Sequence, residues 1–439
     1  MLTTASARAA YTLLWHVLLP WLPLRLWWRG RKEPGYREFI AERFGRYTTS
    51  ATGPVLWVHA VSLGETHAAR PLAERLLNEF PQATLLLTHM TATGRAAGRV
   101  FANDRLVQAW LPYDLPRFVD NFLTHFKPAA GMLLETEVWP NLIAGAQRRG
   151  IPLFLINARL SAQSARGYAR VAALTRSALS ALTGVAAQTA QDGARLESLG
   201  SPRALITGNV KFDIAPGATA VSSGQMLRER LGRERPVWLA ASTRDGEEAL
   251  LLDALAANSL PQNALTLIVP RHPQRFDAVA RELDDRRMRY VRRSSNAPVP
   301  AGVSIVLGDS VGEMATYCVA ADVVLMGGSL LPLGGQNLIE PLAAGKPTLV
   351  GPHMFNFAEA TRDAVATGAA WQVGSAGEAI AAVGALLCDA ARRERMQAAA
   401  GQFMVAHAGA TDRLWSWLAP QLHTAMAEAE AGSAATCPR

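Results

Sequence analysis

Residues Val324 to Phe357 read VLMGGSLLPLGGQNLIEPLAAGKPTLVGPHMFNF. An apolar run from Val323, VVLMGG, predicts a buried strand that breaks at Gly327-Gly328. A second pair, Gly334-Gly335, precedes a short amphipathic helix, NLIEPLAAG, and Pro347 opens another strand. Glycines let a backbone approach a ligand closely, and a helix start offers unpaired N–H groups to an anion. Glu340 lies three residues after Asn337, so both fall near the first turn, where a carboxylate can accept hydrogen bonds from a ribose diol. A Gly-rich turn alone would mean only an ordinary α/β domain. Glycines, amide, carboxylate and following strand together favour a nucleotide-sugar site.

The 439 residues, 49% hydrophobic, suffice for two or three domains, each with its own core. Forty-four Lys and Arg against 36 Asp and Glu give a formal charge of +8, which suits an anionic partner: a phosphorylated lipid, a membrane surface or nucleic acid. Cys318, Cys388 and Cys437 are scattered, with neither metal-ligand spacing nor a disulfide framework, as in a reducing compartment. No repeat period signals a solenoid.

Residues 1–35 carry a Trp-rich apolar run, YTLLWHVLLPWLPLRLWW from Tyr11 to Trp28, followed by Arg29, Arg31 and Lys32. Trp favours the membrane interface and the basic residues favour anionic head groups, so this segment is expected to associate with a membrane. Tyr11 to Leu24 would cover only about 21 Å as helix, against about 30 Å of hydrocarbon. Pro20 and Pro23 interrupt it further. A core helix of the first domain is the other reading.

From Pro54 short apolar runs alternate with helical stretches. VLWVHAVS, TLLLTHM, AWLP, AAGMLLE, PLFLINA and GVAAQ are the predicted strands. Repeated βα units imply a parallel sheet with helices on both faces, whose ligands bind beyond the carboxyl ends of the strands. Around Thr207 to Ser223 the composition turns to Gly, Pro, Ala and Ser. A second series follows: PVWLAAS, LTLIVPR, RYVRRS, VSIVLG, VVLMGG, PTLVG and AWQVG. The expected organisation is a first Rossmann-like domain over 36–208, a linker over 209–223, a second Rossmann-like domain over 224–427 including the terminal helices, and a disordered tail over 428–439. Trp415 and Trp417 are expected to pack within those helices.

Candidate chemistry collects at strand ends. Glu65 closes VHAVSLGE, and reads equally as a general base or as a helix N-terminal acid stabilised by the dipole. In MLLETEVWPN, Glu135 ends the strand and is a better candidate than Glu137. Asn209 and Lys211 stand at the mouth of the linker, where the lysine can reach a phosphate or carboxylate or simply be solvated. Ser242, Thr243 and Arg244 precede the acidic helix DGEEALLL, at a turn suited to an anion. Arg271 and His272 end the next strand, and Gly312, Glu313 and Met314 begin the helix after VLGDSV.

VSLGE, TATG, LPYDLP, ETEVWPN, NARLS, GNVKFD, ASTRDGEE, VPRHPQRF, GGQNLIEP and GPHMFNF occur in this order. Together they resemble the 3-deoxy-D-manno-octulosonic acid (Kdo) transferase family, from about Tyr11 to Pro420. The resemblance implies a GT-B fold, two Rossmann-like domains facing across a cleft. It implies CMP-β-Kdo as donor, and as acceptor a lipid A precursor, a tetraacylated disaccharide bisphosphate. It further implies the cytoplasmic face of the inner membrane, no metal, no cofactor and no nucleic acid partner. Carried onto this sequence, it makes Glu65 the general base and gives Glu135 and Lys211 supporting roles in the transition state. Ser242, Thr243, Arg244, Arg271, His272, Gly312, Glu313, Met314, Asn337, Leu338, Ile339 and Glu340 become the donor site. Two departures stand out: many relatives have His at Gln336, and often His at Arg244.

Other readings are a GT-B transferase using a UDP-sugar on a lipid acceptor, a nucleotide-sugar epimerase, and a non-enzymatic nucleotide-binding module. The Trp-rich N-terminus disfavours a soluble epimerase, and the carboxylates disfavour a mere binding module. A NAD dehydrogenase would want GxGxxG after its first strand, which VSLGET lacks.

Overall fold

A computed structural model describes residues 4–101 and 103–435, and the chain divides into two compact units. The first comprises the residues up to Asp213 together with those from Gly409 onward; the second runs from Ile214 to Ala408. Cys437 and the rest of 436–439 lie outside the described residues.

The first unit carries a seven-stranded, wholly parallel sheet. Its strands are β1 (Val55–His59), β2 (Thr84–His89), β3 (Leu106–Trp110), β4 (Pro128–Leu134), β5 (Leu153–Ala158), β6 (Gly184–Ala187) and β7 (Ala204–Ile206), in the order β3-β2-β1-β4-β5-β6-β7. Helices cover both faces, which is why the central strands β1, β2 and β5 are buried at every residue instead of alternating. β7 was not among the predicted strands: its three residues, ALI, are too short a run to signal a strand and sit half exposed at the sheet edge.

The second unit repeats the plan with β8 (Val237–Thr243), β9 (Leu265–Pro270), β10 (Tyr290–Arg292), β11 (Ile305–Leu307), β12 (Val323–Met326), β13 (Thr348–Val350) and β14 (Ala370–Gln372), ordered β10-β11-β9-β8-β12-β13-β14. All seven coincide with predicted strands. Each sheet buries a tryptophan at an equivalent place and satisfies its indole. Trp57 Nε1 donates to Thr88 Oγ1 at 2.7 Å, and Trp238 Nε1 to Thr266 Oγ1 at 2.9 Å. Left unpaired, either buried N–H would cost about 1–3 kcal/mol.

Three expected boundaries change. The helix Ala410–Ala435 belongs to the first unit, not to the second domain. Leu414, Leu418, Leu422 and Met426 recur every four residues and pack against Leu56, Val58, Leu87 and Met132 of the first sheet. Trp415 and Trp417 pack there too, Trp417 edge-on to Phe154. Asp213, the last residue before the chain leaves the first unit, accepts hydrogen bonds from Gly409 N and Thr411 N as it returns. Second, the supposed tail is helical through Ala435. Third, the supposed linker contains most of the first turns of the helix Ala218–Leu231. Its Ser222-Ser223 reads as linker but lies in that helix, and Gly224 beside them allows close packing: a Cβ would lie 2.9 Å from the Thr316 carbonyl.

The N-terminal segment is docked onto the first unit. Helices Thr4–Leu18 and Trp21–Lys32 are parted at Leu19-Pro20. Tyr11 Oη donates to Asp114 Oδ2 at 3.0 Å, and Leu22 and Leu26 are buried with Tyr36 and Tyr113. Asp114 also accepts from Asn141 N and Leu142 N, capping the helix Pro140–Arg148; burial pushes its carboxyl up to about 6. Leu13, Leu14, Val17, Trp21, Leu24 and Trp28 remain exposed. Among the described residues no helix is long and apolar enough to cross a membrane.

Candidate active site

In a doubly wound sheet the loops diverge where the strand order reverses, and ligands bind at the carboxyl ends there. In the first unit this point lies between β1 and β4, which are paired neighbours. The loop after β1 carries Glu65 and the loop after β4 carries Glu135. In the second unit it lies between β8, which Ser242–Arg244 close, and β12, which the stretch Gly327–Glu340 follows.

Glu65 opens a helix and is held there by its cap. Ser62 caps the helix Leu63–Glu79, its Oγ accepting from Glu65 N at 3.4 Å and donating to Glu65 Oε1 at 3.0 Å. Glu65 Oε2 accepts from Val61 N at 2.8 Å. This is a capping box, with the carboxylate reaching one residue further back than usual. Yet burial, reinforced by the charges of Glu135 and Glu137, pushes its carboxyl up to about 7 despite those hydrogen bonds. A carboxyl raised to about 7 can both give up and take a proton near neutrality.

Glu135 is the electrostatic opposite. It sits in the left-handed region (φ 59°), a strained place for a non-glycine residue, and its carboxylate is almost fully enclosed. Lys211 Nζ lies 2.5 Å from Oε1 and Arg159 Nε 3.1 Å from Oε2. Burial works against its charge, but the two cations outweigh it and hold the carboxyl below its usual value. Lys211 is therefore tied to Glu135 rather than reaching outward on its own. Arg159, just past β5, was missed as a site residue, although NARLS placed it at a strand's carboxyl end. Asn209 turns inward, its Oδ1 accepting from Lys211 N at 3.0 Å. Glu137 accepts from Trp139 Nε1 at 2.8 Å and lies 3.7 Å from the buried His59 Nε2.

The second cluster is cationic. Arg271 is drawn to β8 through its backbone N–H, which donates to Thr243 O. Burial lowers the pKa of Arg271, and the charge of Glu340 opposes that shift while Arg244 adds to it. His272 is also held low, by burial and by Arg244 and Arg271. Arg244, Arg271, His272 and Glu340 thus share one field. Asn337 Nδ2 donates to Glu340 Oε1 at 3.2 Å, placing both at the first turn of the helix Ile339–Ala343 as expected. Leu338 and Ile339 have fully buried side chains, so only their backbone is available to a ligand.

Two expectations fail here. Thr243 does not offer its hydroxyl to a ligand: Oγ1 donates inward to Glu248 Oε1 at 2.8 Å. And the anion held at the turn after β8 is the protein's own. The fully buried Glu247 carboxylate accepts from Arg244 N (2.9 Å), Gly328 N (2.5 Å), Ser329 N (3.0 Å) and Leu330 N (3.0 Å). It clamps the loop after β12 onto the end of β8. Gly327 permits that approach, since a Cβ would sit 2.6 Å from the Ser242 carbonyl. Ser242 itself is buried at φ 54°. Glu247 was read only as part of an acidic helix; nothing in DGEE marks which acid turns inward.

Gly312, Glu313 and Met314 stand at the start of the helix Met314–Ala320, which packs beside Ile339–Ala343. The Glu313 carboxylate is committed to Arg293 Nη2 (3.1 Å) and Ser310 Oγ (2.5 Å), so it stays with its own loop. Among the described residues no group of three or more His, Cys, Asp and Glu side chains converges as metal ligands would.

Residues 38–214 match the family described as 3-Deoxy-D-manno-octulosonic-acid transferase (kdotransferase). A 3-deoxy-D-manno-octulosonic acid transferase of Bordetella pertussis is 45% identical over 429 residues, spanning 94% of this chain and 99% of that protein. The chain belongs to the Kdo transferase family. It is a glycosyltransferase. The Haemophilus influenzae 3-deoxy-D-manno-octulosonic acid transferase is 36% identical, over 89% of this chain and 93% of that one. Among solved structures, the UDP-GlcNAc 2-epimerase of Neisseria meningitidis superposes with a TM-score of 0.56 at 16% identity, over 84% of this chain and all of that one. That likeness shows the fold alone. It also explains why an epimerase was a fair alternative on architecture: this chain shares its two parallel-sheet units with it, and the identity of relatives, not the fold, separates the two.

A donor-site prediction arises directly. Arg271→Ala and Glu340→Ala, tested singly by calorimetry with CMP, are each expected to weaken binding at least tenfold, as a charge-assisted hydrogen bond is worth about 1.5–3 kcal/mol. Unchanged affinity in both variants would move the nucleotide elsewhere.

Proposed function

We propose that this transferase moves Kdo from CMP-β-Kdo to a hydroxyl on the sugar head of a lipid A precursor, with inversion, and that Glu65 is the general base. The observation that carries the reading is the Glu65 carboxyl, which titrates near 7 at the point where the first sheet's strand order reverses. In the step, the ionised Glu65 takes the proton of the acceptor hydroxyl. The oxygen's electron pair forms the new bond to C2 of Kdo, and the bond from C2 to the phosphate oxygen breaks. CMP leaves as a monophosphate. Arg244 and Arg271 supply positive charge for the departing phosphate, which lets the step proceed without a divalent ion. Glu135, ionised and locked between Lys211 and Arg159, fixes the charge around the base.

The test is direct. Purified full-length protein incubated with CMP-Kdo and a tetraacyl disaccharide bisphosphate, with excess EDTA present, is expected to add Kdo, seen as a mass increment. A UDP-sugar accepted in place of CMP-Kdo, or a strict demand for magnesium, would overturn the reading.

The enzyme is further proposed to work at the cytoplasmic face of the inner membrane. Trp21, Leu24 and Trp28 recur at i, i+3 and i+7 and point outward, while Leu22 and Leu26 point into the first unit. Arg25, Arg29 and Arg31 lie on the same short helix. Because this segment is docked, deleting it would strip Tyr11 from the buried Asp114. Exposed positions are the sounder probe. Trp21→Glu/Trp28→Glu is expected to shift most of the protein to the soluble fraction while leaving turnover on a deacylated acceptor intact. Unaltered membrane binding of that variant would place the contact elsewhere.

A further inference from the structure

The helix Thr4–Leu18 borders a groove of about 520 Å³ that none of the catalytic assignments uses. Residues at 5, 8, 9, 12, 13 and 16 follow helical spacing and form one wall; Pro116, Asn141 and Arg148 form the other. Two arginines line it, Arg8 and Arg148, together with His16, and no carboxylate does. Arg8 makes no hydrogen bond or ion pair among the described residues, although its side chain is partly buried. Among the described residues Arg148 has a single long ion-pair contact, 3.4 Å, to Asp120, which is also held by Arg149 at 2.8 Å. The floor is set: Asn141 Nδ2 donates to Thr12 Oγ1 at 3.1 Å, and His16 Nδ1 lies 2.9 Å from Thr12 O.

The neighbouring stripe of the same helix is apolar and exposed. Leu13 (66% exposed) belongs to both the groove and the stripe, and Leu14 and Val17 continue it. A partly buried Arg8 and an exposed Arg148 only loosely held by Asp120, beside exposed aliphatic side chains, match a molecule with a phosphate at one end and hydrocarbon at the other. We propose that this groove binds the phosphate head group of an anionic phospholipid, one molecule per chain, with Arg8 and Arg148 on the phosphate and the acyl chains lying along Leu13 and Val17. The proposal rests on the membrane-surface reading above and adds a discrete site to it.

A soluble short-chain lipid separates the site from general surface attraction. Full-length protein is titrated with dihexanoyl phosphatidylglycerol below its micellar concentration, alongside dihexanoyl phosphatidylcholine and inorganic phosphate. Expected is saturable 1:1 binding of the glycerol lipid, weakened at least tenfold by Arg8→Gln and by Arg148→Gln but less than twofold by Arg25→Gln, with the choline lipid and phosphate each at least tenfold weaker. Absence of saturable binding, equal loss in Arg25→Gln, or phosphate binding as tightly as the lipid overturns the proposal. Co-sedimentation with phosphatidylglycerol-containing vesicles is run in parallel. Vesicle binding without short-lipid binding defeats the groove and leaves the membrane reading standing; no vesicle binding by the wild type defeats the membrane reading itself.

Discussion

Glu65→Gln is expected to lower turnover by two orders of magnitude or more while leaving CMP affinity within about twofold, and to stabilise the protein at pH 8. The kinetic part follows from general-base catalysis, which contributes about 10²–10⁴-fold. The amide keeps an oxygen for Val61 N but cannot accept the proton. In the wild type, kcat/KM should fall as pH drops below about 7, because the protonated acid is inert. The stability part has the opposite sign. The folded pKa lies above the ordinary value of 4.5, so the native state holds the proton more tightly between about pH 4.5 and 7. Wild-type stability therefore declines as pH rises through that window, by up to about 3 kcal/mol, less some screening because the residue is not fully enclosed. Glutamine escapes that decline. Thermal unfolding of both proteins at pH 5 and pH 8 reads the difference, which should widen at the higher pH. A variant with near wild-type turnover, or one no more stable at pH 8 than at pH 5 relative to wild type, would remove Glu65 from the role.

The second large effect is expected at Lys211. Lys211→Met leaves Glu135 buried with Arg159 as its remaining cation. Breaking a buried pair from one side costs about 3–5 kcal/mol, and the surviving Arg159 contact puts the expected loss near the lower figure. For a unit of this size that corresponds to a Tm fall of about 6–12 °C. Adding Glu135→Gln removes the stranded charge and should restore most of the stability. It should not restore turnover, because the charges that define the base's surroundings are then gone. The double variant thus divides fold from function. Recovery of turnover along with stability would show that the pair is only structural, and an unchanged Tm in Lys211→Met would show that solvent already shields Glu135. The depressed pKa of Glu135 makes a consistent acid-side statement: its contribution is present above the ordinary carboxylate range and is lost as pH falls through its own lowered value.

Much of this site was legible because strand ends can be read without coordinates. An apolar run that stops at glycine or at a polar pair marks a carboxyl edge, and in a parallel α/β sheet every such edge faces the same way. Glu65, Glu135 and Arg271 were singled out as candidates by that rule, and Glu340 by its place at the start of the helix after a glycine pair. The rule fails where a side chain's direction matters. Thr243 and Arg244 are adjacent at one strand end, yet the hydroxyl is turned inward to Glu248 while the arginine joins the charge cluster near Arg271. Glu247 and Glu248 are equally acidic in sequence; in the fold, Glu247 holds four backbone N–H groups and Glu248 pairs with Arg275.

Sequence by itself determined the elements, the two parallel sheets and the order of motifs, because hydrophobic periodicity and turn residues are local properties. Only the tertiary structure decided what is long-range. The helix Ala410–Ala435 returns to the first unit because its leucine stripe fits the face beside Leu56 and Met132, a choice between two similar apolar surfaces that no local pattern encodes. Tyr11 finds Asp114 from 103 residues away, docking the N-terminal segment onto the first unit. And Glu65 titrates near 7 while Glu135 stays ionised, though both are acids at strand ends. Burial and like charge act on the first, and Lys211 and Arg159 on the second, so the difference exists only once distant residues have been brought to within a few ångströms.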